Sequence, residues 1–365
     1  MKKVFLYAYD SVNLGDDLFV LTIAHRYPAV RFYMWSDRKN ADNFKAVKNI
    51  KVINRNARYI KVLQKKWPSI IARIRQSLEQ RCKAVVYIGG SLFIEYENWP
   101  LMLNWWEYEA NNHPFYVLGA NFGPYHTEDY RKKLAEIFSK MKDVCFRDTF
   151  SKEKFCHIPS VRYAPDILLG YPMPKVSIKE KQAFFSIINC AAKNEGENKL
   201  EKFNNAYNIQ MANFIQQLLH KGWKIILSSF CREEGDEYGI TNIFSRLENK
   251  DSVSIINYNG KNRDILIYAM AESQIVFASR FHATILGLAA KRPVIPIVYS
   301  DKTLHILEDL NFHGKFIDIR KMNEEKGYDI TQFINNIEDQ SVQNIEQFVH
   351  QSEGHFEKLD RLLKE

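Results

Sequence analysis

Residues 274–284 read Gln274-Ile275-Val276-Phe277-Ala278-Ser279-Arg280-Phe281-His282-Ala283-Thr284, and this stretch decides the fold class. Its first half is apolar and β-branched without alternation, which reads as a strand buried on both faces. From Ala283 to Ala290 the residues are mostly small and apolar, which reads as a helix. A buried strand running straight into a helix is the repeating unit of a parallel sheet covered by helices. Open sheets of this kind bind ligands beyond the carboxyl ends of their strands, so Arg280 and His282 stand where chemistry is done. The helix start adds unsatisfied N–H groups that suit an anion. Arginine offers a planar fork for phosphate or carboxylate, and histidine moves a proton near neutral pH. The plainer reading is an arginine that caps or salt-bridges and a histidine satisfied in the core.

The same pattern extends in both directions. Strands are expected at 3–9, 30–35, 84–88, 115–119 and 144–147 in the first half. The second half offers 183–188, 224–228, 253–256, 274–278 and 294–299. Helices are expected between them, among others at 127–141, 210–221 and 283–290. Alternation of this kind predicts an α/β protein with mostly parallel sheets. Gly170-Tyr171-Pro172-Met173-Pro174 ends regular structure midway. The organisation expected is a first domain over 1–171, a second over 172–330 and terminal helices over 331–365. The polar stretches 193–208 and 231–239 read as mobile loops.

Composition agrees. The chain has 365 residues, 46% hydrophobic and 26% charged, with a net charge of +8. That is ordinary globular composition, sufficient for two cores, and it excludes a disordered tail protein or a polytopic membrane protein. No apolar run nears the roughly 18–20 residues that span a bilayer, and Lys3–Tyr9 reads as a strand rather than a signal peptide. Five cysteines without CxxC spacing predict reduced thiols in a cytoplasmic protein. Walker, GxGxxG, HExxH and GxSxG motifs are missing, and no pair of histidines has metal-ligand spacing, so no metal and no cofactor is expected.

Between Arg55 and Lys83 nine basic residues face a single acid, Glu79, with Ile70, Ile71, Ile74 and Leu78 on one helical face. Two readings stay open: a surface helix packed on the sheet, or a basic amphipathic helix on an anionic membrane. Nucleic acid is disfavoured, because no binding motif accompanies the charge. Trp99, Trp105 and Trp106 with Tyr96 and Tyr108 read as core or helix–helix aromatics rather than a sugar platform.

Other candidates also follow strands. Phe146-Arg147-Asp148-Thr149 offers a second guanidinium, with Asp148 or Thr149 capping the next helix. Gly89-Gly90-Ser91 lets a ligand approach the backbone. Asn13-Leu14-Gly15-Asp16-Asp17 fits a tight turn with acids at a helix start. Asn121 within 119–124 and Asp166 after Pro165 follow strands too.

Taken in order, these motifs resemble the polysaccharide pyruvyltransferase family. The resemblance rests on Asn13 to Asp17, Gly89-Gly90-Ser91, Gly123-Pro124, Arg147 to Ser151, Pro165-Asp166, Ser279 to Ala283 and Pro293 through Tyr299 to Lys302. It implies two Rossmann-like domains facing a cleft, like glycosyltransferases of the B type. It also implies the reaction, in which phosphoenolpyruvate donates its three-carbon unit to two hydroxyls of one sugar, forming a cyclic pyruvate ketal and releasing phosphate. Phosphoenolpyruvate is then a co-substrate, and the acceptor is a cell-surface polysaccharide or its lipid-linked precursor. The family's donor-binding residues fall on Arg147, Arg280, Phe281 and His282, with Arg280 and His282 catalytic. Lys302 either assists the phosphate or is a solvated lysine. Asn13, Asp16, Asp17, Gly89, Gly90, Ser91, Asn121 and Asp166 remain as cleft or acceptor candidates. Asp10-Ser11-Val12 stands where many members carry a glycine, so the resemblance does not assign that loop to phosphate. The competing reading is a glycosyltransferase that uses a nucleotide sugar, since this architecture serves many chemistries. A third is a non-catalytic sugar-binding protein of the same fold.

Overall fold

A computed structural model describes residues 1–36, 42–54, 57–193, 199–323 and 328–364. The chain divides into two units. One comprises Met1–Ser11, Asp16–Ile167 and Gln351–Glu365; the other comprises Val12–Gly15 and Leu168–His350.

The first unit is built on seven parallel strands: β1 (Lys3–Tyr7), β2 (Arg31–Ser36), β3 (Ile50–Asn54), β4 (Ala84–Ile88), β5 (Phe115–Ala120), β6 (Asp143–Phe146) and β7 (Val161–Tyr163). Their order is β3-β2-β1-β4-β5-β6-β7. Every residue of β5 and β6 is buried, as strands covered on both faces require, whereas β2 alternates between buried and half-buried positions. The second unit carries six parallel strands: β8 (Lys179–Ser186), β9 (Lys224–Ser229), β10 (Val253–Asn257), β11 (Ser273–Ala278), β12 (Val294–Val298) and β13 (Ile317–Asp318), in the order β10-β9-β8-β11-β12-β13. Strand order therefore reverses direction twice, between β1 and β4 and between β8 and β11. At the second reversal Phe185 and Phe277 pair in register and stack with ring centroids 4.3 Å apart. Such a pair adds about 0.5–1.5 kcal/mol beyond its buried area.

The helices carry ordinary start signals. Thr127 caps Glu128–Lys140 by accepting a hydrogen bond from the Tyr130 amide at 3.3 Å, and Asp148 caps Thr149–Glu153 through Ser151 at 2.7 Å. Both polar stretches read as loops contain helix instead. Asn204–His220 begins six residues ahead of its expected start, with Tyr207 and Asn208 buried, and Asp236–Ser245 takes the last four residues of 231–239 while 231–235 stay irregular. Residues 194–198 lie outside the described ones. Free cysteines, three of them buried, form no disulfide. Trp99, Trp105 and Trp106 belong to the core, for Trp106 stacks on Tyr87 and Phe115 and Trp99 meets Tyr130 edge-on.

The segment after residue 350 returns to the first unit. Arg26 makes a forked pair with Asp360 at 3.0 and 2.7 Å, joined by the Tyr27 hydroxyl at 2.6 Å. His355 is buried, its Nε2 3.0 Å from the Pro165 carbonyl oxygen, and Arg162 donates to the His355 carbonyl at 2.7 Å.

Candidate functional site

In the first unit, four sequence candidates meet at one point. Arg147 leaves the end of β6 with its side chain fully covered. Its Nη1 donates to Asp166 Oδ2 at 3.0 Å and its Nη2 to Asn121 Oδ1 at 2.8 Å. Gly90, just past β4, makes room for it: a methyl group there would stand 2.6 Å from Arg147 Nη2. The Gly90 carbonyl also accepts the Asn121 amide at 2.8 Å. Asp166 thus fixes the guanidinium as a buried, charge-matched pair.

The other first-unit candidates separate from this group. Gly89 faces Leu92, and Ser91 is exposed. Asp17 is buried and accepts from Asn43 at 2.9 Å. Asp16 opens the helix Leu14–Arg26; its charge, with that of Asp10, adds to burial in pushing the Tyr87 phenol up to about 12.

In the second unit, Arg280 is the N-cap of Phe281–Ala289, and its amide donates to Ser186 Oγ at 3.0 Å. Its side chain does not stand open to a ligand as the sequence reading expects. Asp236 grips one edge, with Nε 2.9 Å from Oδ2 and Nη2 against Oδ1, while Nη1 donates to Glu234 Oε2 at 2.5 Å. Asp236 is itself fixed by the Phe230 and Cys231 amides at 3.0 and 2.9 Å. Burial opposes the Arg280 charge, but these two carboxylates outweigh it and raise its pKa well above the ordinary arginine value. Arg280 is therefore a compensated cation.

Lys193 pairs with the same Glu234 oxygen and lies 5.1 Å over the Tyr299 ring. Lys302 approaches that ring at 6.0 Å. Arg280 and Lys193 thus share Glu234, and Lys302 stands near the same aromatic ring as Lys193. The consequences are visible in neighbouring groups. Burial would raise Glu234, but Arg280 and Lys193 hold it well below the carboxylate range. Burial would also raise the Tyr299 phenol, yet Lys193, Lys302 and Arg280 together shift it downward.

His282 sits in the first turn of the same helix, its ring 5.2 Å from that of Phe281. Gly15 packs directly on it: a methyl group at Gly15 would lie 1.8 Å from His282 Nδ1. The Gly15 loop is pinned in place, since the Leu14 amide donates to the Phe230 carbonyl at 3.0 Å, Asn13 pairs with Cys231, and Asn13 Oδ1 accepts the Gly15 amide at 3.1 Å. Asn13, Arg280, Phe281, His282 and Lys302 are thus all in the second unit. Glu234, Asp236, Lys193 and Tyr299 were missed as site residues. The acid-rich run 233–237 was the available signal.

Comparison with known proteins follows the same lines. Residues 13–301 match a family model described as polysaccharide pyruvyl transferase. None of the curated proteins matches the chain. Among solved structures, UDP-GlcNAc 2-epimerase from Neisseria meningitidis bound to UDP-GlcNAc is 11% identical with a TM-score of 0.61, over 99% of this chain and 100% of that one. Anabaena Alr3699/HepE in complex with UDP and glucose is 12% identical with a TM-score of 0.59, over 100% and 99%. At such identities the likeness is one of fold: two Rossmann-like units of the glycosyltransferase-B kind.

Proposed function

The chain belongs to the polysaccharide pyruvyl transferase family, and from that membership we propose that it transfers the three-carbon unit of phosphoenolpyruvate to two hydroxyls of one sugar, closing a cyclic ketal and releasing phosphate. The acceptor in this reading is a cell-surface polysaccharide or its lipid-linked precursor. The observation that carries the proposal is the Lys193–Glu234–Arg280 group beside His282. Phosphoenolpyruvate brings a carboxylate and a phosphate, which need fixed cations. Glu234 is 31% exposed in its side chain, whereas Asp236 is covered and held by two amides. Donor binding exchanges one of its acidic groups for Glu234 on Arg280 Nη1 and Lys193, while Asp236 keeps the guanidinium oriented. Lys302 adds to the phosphate side.

His282 then gives a proton to the methylene carbon, leaving an oxocarbenium-like centre at C2. One sugar hydroxyl adds there and loses its proton. The C2–O bond to phosphate breaks with its electron pair going to phosphate, and the second hydroxyl adds at C2 and loses its proton. Of the two hydroxyl protons released, one restores His282 and the other leaves with phosphate. No metal enters this scheme.

Thermal shift separates this from nucleotide-sugar transfer: phosphoenolpyruvate stabilises the protein, and UDP-sugars do not. Stabilisation by UDP-sugars alone would replace the proposal. The donor role implied for Arg147 is tested separately, by calorimetry of Arg147→Lys with phosphoenolpyruvate; wild-type affinity removes it.

A lipid-linked acceptor also gives a use to the basic segment. Among the described residues no helix is long and apolar enough to cross a membrane. However, Val62 on Arg58–Lys66, Ile70 and Ile74 on Pro68–Gln80 and Trp67 between these helices are exposed, beside Lys65, Lys66 and Arg73. Arg55 lies outside the described residues. We propose that this face meets anionic lipid. Co-flotation with anionic but not neutral vesicles is expected, and failure to float with either overturns it.

A further inference from the structure

Apart from the donor residues, the first unit buries a polar cluster that the proposed transfer does not use. Glu79 lies in the last turn of Pro68–Gln80, Glu109 in the last turn of Trp99–Asn112, and His113 caps the latter helix. All three are buried. Their donor atoms lie within 4.8 Å of one another, with His113 Nε2 3.7 Å from Glu109 Oε2 and 3.8 Å from Glu79 Oε2.

Hydrogen bonding does not account for this arrangement. Glu79 Oε2, both oxygens of Glu109 and His113 Nε2 are covered and have no hydrogen-bond partner among the described residues. The Trp105 indole approaches Glu109 without reaching hydrogen-bonding geometry. Buried polar atoms are nearly always satisfied, and an orphaned group asks for an ion or a water. Two carboxyl groups and an imidazole that face one point without hydrogen-bonding one another are what a cation would require. The histidine side chain is more than nine-tenths covered and points into the acids, so the group is not merely an acidic cluster.

We propose that Glu79, Glu109 and His113 bind a divalent first-row metal ion of the zinc class. Tetrahedral zinc with bonds of about 2.0–2.1 Å places its donors roughly 3.3–3.4 Å apart, so the two histidine–carboxylate separations of 3.7 and 3.8 Å need to close by a few tenths of an ångström, and the carboxylate–carboxylate one, within 4.8 Å, closes by rotation of the Glu side chains. Two carboxylates with a neutral imidazole offset a doubly charged ion, leaving the nearby Arg75 guanidinium as the residual charge. The mixed nitrogen and oxygen set favours zinc over magnesium, which prefers oxygen and retains water. The far side of Glu79 is already oriented, as second-shell partners of metal ligands are: the Tyr7 hydroxyl donates to Glu79 Oε1, and Arg75 Nε stands 3.4 Å from it. The ion ties the ends of two helices together and takes no part in pyruvyl transfer.

The test uses the full chain. Metal content of protein purified without chelator is measured by plasma mass spectrometry, and chelator-treated protein is titrated with zinc and with magnesium by calorimetry. About one zinc per chain is expected, with a zinc-dependent rise in melting temperature and no response to magnesium. Glu109→Gln should remain folded, bind zinc at least roughly 100-fold more weakly and lose the zinc-dependent rise. Tyr7→Phe keeps the ligands and should weaken zinc about 10-fold. If Glu109→Gln does not fold, Glu79→Gln takes its place. Absence of zinc binding in the wild type, or unchanged affinity in the ligand variants, overturns the proposal. Failure of the transferase reading would leave these outcomes unaffected.

Discussion

Replacing Gly15 by alanine should disable the protein through His282 alone. The added Cβ would lie 1.8 Å from His282 Nδ1, 2.2 Å from Cγ and 2.6 Å from Cε1. Non-bonded heavy atoms rest at about 3.5 Å or more, so the overlap is roughly 1.7 Å and no bond-angle adjustment absorbs it. Either the loop or the ring must give way. Hydrogen bonds from Leu14 to Phe230 and from Gly15 to Asn13 hold the loop. The imidazole, at the tip of a side chain with two rotatable bonds, is therefore the part that moves. If His282 is the acid, its displacement costs about 10²–10⁴ in kcat, or about 3–5 kcal/mol of barrier. Phosphate release would be followed alongside thermal unfolding, with the melting temperature changing little relative to turnover. A double-mutant cycle sharpens the test, because once His282→Ala has removed the ring, Gly15→Ala has nothing left to displace. Wild-type turnover in Gly15→Ala, or strictly additive losses in the pair, would refute the reasoning.

Gly90→Ala acts in the same way on the first unit. Its methyl group, 2.6 Å from Arg147 Nη2, would part Arg147 from Asp166 and cost about 3–5 kcal/mol of stability, read as the denaturant midpoint. An unchanged midpoint contradicts it. Glu234→Gln removes the resident anion from Arg280 and Lys193, so calorimetry should show phosphoenolpyruvate binding about tenfold tighter, or about 1.4 kcal/mol. Unchanged or weaker affinity rules out the exchange. Burial, helped by Arg162, lowers the His355 pKa from 6.5 to about 3. The unfolded chain therefore takes up the proton first, and stability that is intact above pH 6.5 falls as pH drops toward 3, by up to about 5 kcal/mol. Urea melts at pH 7 and 4.5 should differ by about 2.7 kcal/mol from this group, and His355→Gln should remove that difference.

Interior strands were readable because they are continuously apolar: Ala84–Ile88 was delimited to the residue, and Ser273–Ala278 to within one. The unexpected strands are outer ones. Ile50–Asn54 carries a lysine and an asparagine, Val161–Tyr163 has three residues, and Ile317–Asp318 has two. Near an edge a strand is no longer held to an apolar pattern, and periodicity is lost. The helix from Asn204 was read as loop because three of its first five residues are asparagine, which favours turns on its own. Tertiary packing reverses that preference, burying Tyr207 with its hydroxyl 2.8 Å from Ser279 Oγ. Arg147, Asn121, Asp166, Arg280 and His282 were legible from position, each shortly after an apolar run. Glu234 and Asp236 lie in a polar stretch with no period. What singles them out is the arginine they hold, 46 and 44 residues away in sequence. Glu79 is separated from Glu109 by a strand and a loop, so no local spacing could join them.

The return of residues 351–365 to the first unit constrains the order in which the protein is made. The forked Arg26–Asp360 pair and the buried His355 cannot form until the ribosome has released the segment that contains them. By then 168–350, all but four residues of the other unit, has already been synthesised. The half whose translation starts first is thus finished last, against the usual amino-to-carboxyl sequence of domain folding. Nascent chains truncated at residue 350 and held on a tether long enough to clear the ribosomal exit tunnel should resist protease in 168–350 while the earlier residues remain open to cleavage.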